Sequence, residues 1–166
     1  MHNKVVYRTA KALRQLGCAV ARFNFRGVGR SEGSFDEGRG ETDDFSATLG
    51  WMAERYPETP LWTAGFSFGA WIALNVGAAD TRVSLLLGIA PPTSREFDAF
   101  RQSAKPKFLI HGEGDDVVPV QDIRKLYGQL EEPKDLVVID AANHLFDGRV
   151  SEVGDAIVDL LGDYTA

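Results

Sequence analysis

The residues with the clearest chemical potential are Ser67 and the glycines two positions before and after it, Gly65 and Gly69, which form a G-x-S-x-G motif. Residues 61–64 are apolar, as in a buried strand, whereas apolar residues recur at helical spacing from Ala70 onward. The backbone must therefore change from extended to helical at about Ser67. Such a turn is a nucleophile elbow, which strains the serine and exposes its hydroxyl at the carboxyl edge of a sheet.

The same turn would stabilise the negative charge that forms when a serine attacks a carbonyl. A Cβ at Gly65 or Gly69 is expected to collide with the opposite arm of the turn, which favours glycine at both positions. The following helix begins with N–H groups and the positive end of its dipole beside Ser67. We therefore expect the backbone N–H of Phe68 to donate to the oxyanion. The alternative is a glycine-rich turn in which Ser67 only caps the helix.

A nucleophilic serine needs a base, and the chain has three histidines. In hydrolases with this elbow the acid follows the serine along the chain, and the histidine follows the acid. His2 precedes Ser67 and is excluded by this order. His111 ends a predicted strand with no acidic strand end before it, so we expect it to be a structural residue that bonds a neighbouring loop. His144, in the loop after the last predicted strand, is the expected general base.

The acid must lie between the serine and the histidine at a strand end, which leaves Glu113, Asp115, Asp116 and Asp140. Asp115 lies in the glycine-bracketed turn HGEGDDVVP, which could direct a carboxylate toward His144, whereas Asp116 would point elsewhere. We expect Asp115 to fix the imidazole tautomer and to stabilise the imidazolium. Asp116 and Asp140 are left as alternatives.

Helices and strands must alternate to bring these residues to one edge of a sheet. The predicted strands are 18–25, 61–64, 83–90, 107–111 and 135–139. The predicted helices are 3–16, 41–56, the segment after Ser67, 119–130 and 149–161. Residues 26–40 form a long loop, and 93–105 form one short helix or an irregular loop. This alternation predicts an open, mostly parallel α/β sheet with helices on both faces and a site outside the carboxyl ends of its strands.

Composition limits the class of protein. With 166 residues, 44% of them hydrophobic, the chain is expected to form one domain over residues 1–166. A net charge of −6 without a run of basic residues argues against nucleic acid or an anionic membrane as partner. The single cysteine, Cys18, excludes an intramolecular disulfide and a cysteine-based metal site. Because no signal peptide or long apolar run is present, we expect a cytoplasmic protein.

Cofactor and metal sites are weakly indicated. Gly27, Gly29 and Gly33 have the spacing G-x-G-x-x-x-G, and a charged loop follows them instead of a helix, which disfavours dinucleotide binding. No pair of potential metal ligands has the required spacing on a helix. We therefore expect an enzyme without cofactor or metal that cleaves a small-molecule ester, thioester or amide through an acyl-enzyme, which water then hydrolyses. Homodimer formation is left open.

Several segments carry a family resemblance. GFSFGA, HGEGDDVVP and NHLFDGR resemble the triad regions of small bacterial α/β-hydrolases related to dienelactone hydrolase, and RFNFRGVGRSEGSFDEGRGE resembles the loop after their fourth strand. The similarity covers essentially the whole chain. It implies the α/β-hydrolase fold, with Ser67 as nucleophile, Asp115 as acid and His144 as base. Caps in this group follow the strand that ends here near Ala90, where too few residues are present for a sizeable cap.

The resemblance also implies a departure at the amino terminus. Proteins of this group carry upstream strands that end in a segment like H-P-x-x-G-G-T-M-x-N-K-V-V, whereas this chain begins at the equivalent of its last residues, MHNKVV. The third strand, which lies between 18–25 and 61–64 in the family, and the first oxyanion loop would then be missing. We therefore expect a truncated sheet and a chain that is unstable alone and hydrolyses esters weakly or not at all. The alternative to a serine hydrolase is an incomplete or non-catalytic α/β-hydrolase-like chain that lacks the first oxyanion loop. Either the two strands close up on each other, a partner chain fills the gap, or the gene begins upstream and Met1 is an internal methionine. A version extended upstream through an H-P-x-x-G-G-like segment is expected to be much faster.

Overall fold

The computed structural model describes residues 3–164, so His2 lies outside the described residues. The helices are α1 (Lys4–Gln15), α2 (Arg39–Arg55), α3 (Phe68–Ala79), α4 (Asp98–Arg101), α5 (Val120–Gly128) and α6 (Val150–Leu161), followed by a 3-10 turn at Gly162–Tyr164. The strands are β1 (Leu61–Phe66), β2 (Val83–Ile89), β3 (Lys107–Gly112) and β4 (Lys134–Ile139).

The strands form one parallel sheet in the order β1-β2-β3-β4. At its carboxyl edge Phe66 pairs with Ile89, Ile89 with Ile110, and Gly112 with Ile139. The loops that follow all four strands therefore begin at the same edge. Every residue of β3 is buried, as expected for a parallel strand covered on both faces. The predicted open, parallel α/β sheet is confirmed.

Helices cover both faces of this sheet. One core cluster joins α1 and α6 to the strands through Ala12, Leu87, Ile110, Val153 and Ile157. The other joins α2, α3 and α5 to the opposite face through Leu49, Leu74, Leu86, Leu109 and Ile123. Leu85, Leu86 and Leu87 of β2 belong alternately to the two clusters, because side chains along a strand point to opposite faces. This packing fixes the strand ends from both sides.

The first helix is close to its prediction because both of its ends carry recognisable signals. The side chain of Asn3 accepts from the backbone N–H groups of Val5 and Val6 at 2.9 and 3.1 Å, which caps the amino end. Gly17 follows the carboxyl end with a φ of +86°, a left-handed conformation that glycine adopts readily. The sequence therefore locates this helix within about one residue at each end.

Residues 18–25 do not form a strand, contrary to the prediction. They have no backbone ladder with any strand in the described part of the chain, and β1 is an edge of the sheet there. Their alternating pattern does report burial, since Cys18 and Val20 pack against the core and the ring of Phe25 contacts that of Phe68 at 5.9 Å. A strand also requires a hydrogen-bonded neighbour, which the pattern cannot supply. Segment 18–25 and β1 therefore do not close up on each other.

No large cap covers the carboxyl edge between β2 and β3. Residues 90–106 contain only the short helix α4, and the side chains of Phe97 and Phe100 anchor it in the core with no exposure. This confirms the expectation that a sizeable cap is absent from this stretch. Within residues 3–164, no helix has both the length and the apolar character needed to cross a membrane.

Candidate active site

Ser67 occupies the junction between β1 and α3 in a strained conformation. Its φ of 52° and ψ of −123° lie outside the usual regions for a residue with a side chain, and such strain is typically found at functional sites. Its N–H donates to the carbonyl of Ile89 at 2.9 Å, which ties the turn to β2. A Cβ at Gly65 would lie 2.2 Å from the carbonyl oxygen of Gly69, so glycine is required there.

The prediction that a Cβ at Gly69 would collide with the opposite arm of the turn is wrong. A Cβ added at this position would meet only a ring carbon of Phe25, at 3.9 Å, which is an ordinary contact. The two glycines of the motif therefore differ: Gly65 permits the close approach of the two arms, whereas Gly69 lies in α3 with room for a methyl group.

His144 lies in the loop between β4 and α6, and its ring is held from several directions. The loop contains two non-glycine residues with positive φ, Ala141 at 52° and Phe146 at 54°. The imidazole packs against the ring of Phe66 with centroids 5.3 Å apart. Its Nε2 lies 2.9 Å from Oγ of Ser67, although 77 positions separate the two residues. The structure thus brings together the serine and the histidine that the sequence selects.

Asp115 is the acidic residue that reaches His144. Its side chain is fully buried, and its Oδ2 lies 2.8 Å from Nδ1 of His144. Its Oδ1 accepts from the backbone N–H groups of Val117 and Val118, both at 2.8 Å. Because a carboxylate can only accept, Nδ1 of His144 carries the proton and Nε2 is free to accept from the Ser67 hydroxyl.

The alternative acids are placed elsewhere. Asp116, Asp140 and Glu113 are all exposed, and none of them hydrogen-bonds to His144. Asp115 is therefore buried, whereas its neighbour Asp116 is exposed on the same turn. Alternation of side-chain direction along a tight turn accounts for this difference.

The two loops that carry Asp115 and His144 are bonded directly to each other. The N–H of Gly114 donates to the carbonyl of Ala142 at 3.0 Å, and the N–H of Glu113 donates to the carbonyl of Ile139 at 2.9 Å. A Cβ at Gly112 would lie 2.3 Å from the same Ala142 carbonyl oxygen. Sequence reasoning did not identify this contact, although the glycines of HGEGDD are its signal.

His111 bonds a neighbouring loop, as predicted. It has no exposure, and its Nε2 lies 2.9 Å from the carbonyl oxygen of Val118. Burial lowers the pKa of His111, and the hydrogen bond to Val118 and the charge of Asp115 offset this only in part.

Phe68 is the first residue of α3, where backbone N–H groups lack an acceptor within the helix. Its ring contacts those of Phe25, Phe35 and Trp71, with centroids 5.6 to 5.9 Å apart. The helix start is therefore packed against three aromatic rings. The contacts with Phe25 and Phe35 were not predicted, because they join the helix to segments far from it in the sequence.

The loop that carries Phe35 is fixed from α2. The guanidinium of Arg26 donates to both carboxylate oxygens of Asp44 at 2.7 to 3.1 Å. The buried carboxylate of Glu41 accepts from the N–H groups of Asp36 and Gly38 at 2.9 and 2.8 Å. This loop is therefore anchored although it contains neither helix nor strand.

Comparison with known proteins agrees with this geometry. Residues 1–96 match the family model of the serine aminopeptidases S33, Hydrolase_4. An uncharacterized protein of Rickettsia prowazekii is 36% identical over 171 residues, which covers 97% of this chain and 72% of that protein. Two more distant relatives, uncharacterized proteins of Salmonella typhimurium and Mycobacterium tuberculosis, are matched over 60% and 59% of their length.

Two solved structures are also closely similar. An α/β serine hydrolase homologue from Coxiella burnetii is 42% identical with a TM-score of 0.91, and the match covers 97% of this chain and 77% of the other. A serine hydrolase without lid from Xanthomonas campestris is 39% identical with a TM-score of 0.90, over 99% of this chain and 75% of the other. The chain belongs to the serine aminopeptidase S33 family and has the α/β-hydrolase fold.

Proposed function

We propose that the chain is a serine hydrolase that cleaves a small-molecule ester, thioester or amide through an acyl-enzyme on Ser67. His144 is the general base and Asp115 the orienting acid. The observation that carries this proposal is the continuous hydrogen-bonded series from Oγ of Ser67 to Nε2 of His144 at 2.9 Å and from its Nδ1 to Oδ2 of Asp115 at 2.8 Å. Nucleophile, base and orienting acid in this arrangement are the requirements of covalent acyl transfer.

In the first half-reaction, Nε2 of His144 takes the hydroxyl proton of Ser67 as Oγ forms a bond to the substrate carbonyl carbon. The imidazolium that results is stabilised by the carboxylate of Asp115. The negative charge moves to the former carbonyl oxygen, and the N–H of Phe68 at the start of α3 donates to it. As the carbonyl re-forms, the bond to the leaving group breaks, and His144 gives its proton to that group.

In the second half-reaction, water replaces the serine as nucleophile. His144 takes a proton from the water while the water oxygen bonds to the acyl carbon, and it returns that proton to Oγ as the ester bond to Ser67 breaks. The products are the free acid and the original enzyme. No group outside the chain, apart from water and substrate, is needed to balance these steps.

Two similarities bear on which kind of bond is cleaved, and they favour different substrates. The resemblance to the dienelactone hydrolase group favours a small ester, whereas the name of the matching family points to an amide beside a free amino group. The open carboxyl edge suits either substrate, and the similar serine hydrolase from Xanthomonas campestris is likewise without a lid. Hydrolysis of p-nitrophenyl acetate, a thioester of the same acyl group and an aminoacyl p-nitroanilide, each compared with Ser67→Ala, will distinguish the classes.

A non-catalytic α/β-hydrolase-like chain is the alternative, and one observation favours it. Within residues 3–164 no strand pairs with the outer edge of β1, the strand that leads to Ser67, and an unpaired edge is a weak point of a sheet. Under this alternative, none of the three substrates would be cleaved faster by the wild type than by Ser67→Ala. Cleavage that depends on Ser67 would exclude it.

A further inference from the structure

We propose that His111 is a positioning residue for this reaction: its Nε2–H holds the carbonyl of Val118, and this fixes the turn that directs Asp115 toward His144. The inference rests on the proposed function of Ser67, Asp115 and His144. His111 itself does not contact the reacting atoms; it acts through Asp115.

The hydrogen bonds form a continuous path through one residue, Val118. Nε2 of His111 lies 2.9 Å from the carbonyl oxygen of Val118. The backbone N–H of Val118 donates to Oδ1 of Asp115 at 2.8 Å. The other carboxylate oxygen, Oδ2, receives Nδ1–H of His144 at 2.8 Å. The N–H of Val118 is one of the two donors to Oδ1, beside that of Val117, and His111, in β3, bonds the carbonyl of the same residue.

The partners of the imidazole determine its tautomer. A carbonyl can only accept, so Nε2 of His111 must carry the hydrogen. Nδ1 is buried and has no hydrogen-bond partner within residues 3–164, so a second proton there would have no acceptor. His111 is therefore a neutral imidazole that donates through Nε2.

Neutrality matters because Oδ2 of Asp115 lies 3.6 Å from Nε2 of His111. The charged or titratable groups that act on His111 are Asp115 and His144, from the loops after β3 and β4. A protonated His111 would share the charge of Asp115 and weaken its stabilisation of the His144 imidazolium. A neutral donor organises the turn without competing for that charge.

Loss of the donor has two expected effects. The carbonyl of Val118, a residue only 5% exposed, would lose its partner, and an unsatisfied buried carbonyl destabilises the turn. The carboxylate of Asp115 would then depart from the direction of Nδ1 of His144. Misplacement of a supporting group by about 1 Å can lower a rate roughly 100-fold.

Three substitutions separate this role from a purely structural one. His111→Leu fills the volume without a donor, His111→Gln can place an amide N–H near the position of Nε2, and His111→Asn is too short to do so. Ile123→Val, in the buried face of α5, is the stability control. The readouts are the rate of Ser67 labelling by a fluorophosphonate from pH 5 to 9, kcat and KM for p-nitrophenyl acetate, and thermal unfolding.

We expect His111→Leu and His111→Asn to lower kcat and the labelling rate roughly 10-fold to 100-fold with little change in KM. The acidic limb of their pH–rate profiles should move to lower pH, because the His144 imidazolium is less stabilised. His111→Gln should recover most of the rate, and Ile123→Val should leave the rate and the profile unchanged. If His111→Leu does not fold, the comparison of His111→Gln with His111→Asn tests the inference in its place.

Equal rates for Gln and Asn, or a folded Leu variant with the wild-type rate and profile, would overturn the inference while the proposed function stands. If wild-type Ser67 itself does not react, the proposed function fails, and the role of His111 fails with it.

Discussion

Nδ1 of His144 lies 2.8 Å from Oδ2 of Asp115, although 29 positions separate the two residues. Their loops follow β3 and β4, which are adjacent parallel strands, so the sheet brings both loops to one edge. The same carboxylate accepts two backbone N–H groups through its other oxygen. The turn after β3 therefore sets the direction of the Asp115 carboxylate. This carboxylate orients His144, whose Nε2 lies 2.9 Å from Oγ of Ser67.

Substitution of the acid and the base should abolish most turnover without unfolding the chain. His144→Ala and Asp115→Asn are each expected to lower kcat roughly 10³-fold to 10⁴-fold, because the proposed nucleophile, base and acid would act as a unit. Asp116→Asn is the matched control, since this carboxylate is exposed one position away. Initial rates on p-nitrophenyl acetate, with circular dichroism to verify folding, test this. A greater loss with Asp116→Asn than with Asp115→Asn would contradict the assignment.

The two glycines of the G-x-S-x-G motif should respond differently to alanine. A methyl group at Gly65 would lie 2.2 Å from the carbonyl oxygen of Gly69, so Gly65→Ala is expected to destabilise the fold by about 2 kcal/mol or more. At Gly69 the added carbon has space, and alanine is favoured in a helix, so Gly69→Ala should be neutral or stabilise by up to about 1 kcal/mol. Urea unfolding gives both free energies, and equal losses would show that the turn is not constrained as described.

Acid should weaken the fold in part through Asp44. The hydrogen bonds from Arg26 lower the pKa of this carboxyl below its ordinary value, which is about 3.9 in an unfolded chain. Between the two pKa values the unfolded state binds more protons, so the stability from this pair is complete above roughly pH 5 and is lost as pH falls through the folded-state value.

Asp44→Asn should therefore flatten the pH dependence of the free energy of unfolding below about pH 5, whereas Asp43→Asn, at the exposed neighbouring position, should not. Urea unfolding between pH 3 and pH 7 measures this. Identical slopes for the two variants would be inconsistent with the proposed role of the Arg26 pair.

Substrate binding should proceed without a slow closing step. Residues 90–106 contain only α4, which is anchored in the core, and the loop with Phe35 is fixed by hydrogen bonds to Glu41. Stopped-flow fluorescence of Trp62 and Trp71 on mixing with a non-hydrolysed ester analogue should show one phase whose rate rises linearly with concentration. A second phase that saturates with concentration would indicate a mobile cover.

Most of the sheet could be predicted from the sequence because its strands are short apolar runs that end at glycine, proline or charged residues. The exception, segment 18–25, packs against the core through Cys18 and Val20 but forms no ladder with a strand within the described residues. Side-chain periodicity reports which residues face the core, whereas a ladder depends on a second segment. Prediction from one segment alone cannot supply that information.

The positions of Ser67, Asp115 and His144 could be predicted because order along the chain and location at strand ends leave few combinations. The contacts that hold them could not. Packing of Phe66 on the His144 ring and the bond from Gly114 to Ala142 depend on how two distant loops meet. The strained backbone at Ser67 has a local signal in Gly65, two positions before it, and the contact with Ala142 has one in the glycines of HGEGDD.

Reaction with a fluorophosphonate probe tests the central claim most directly. Intact-protein mass spectrometry followed by peptide mapping should find one phosphonyl adduct per chain, located on Ser67. The adduct should be absent from Ser67→Ala and should form much more slowly in His144→Ala. No adduct on the folded wild-type chain, or an adduct on another serine with Ser67 unmodified, would contradict the assignment of Ser67 as the nucleophile.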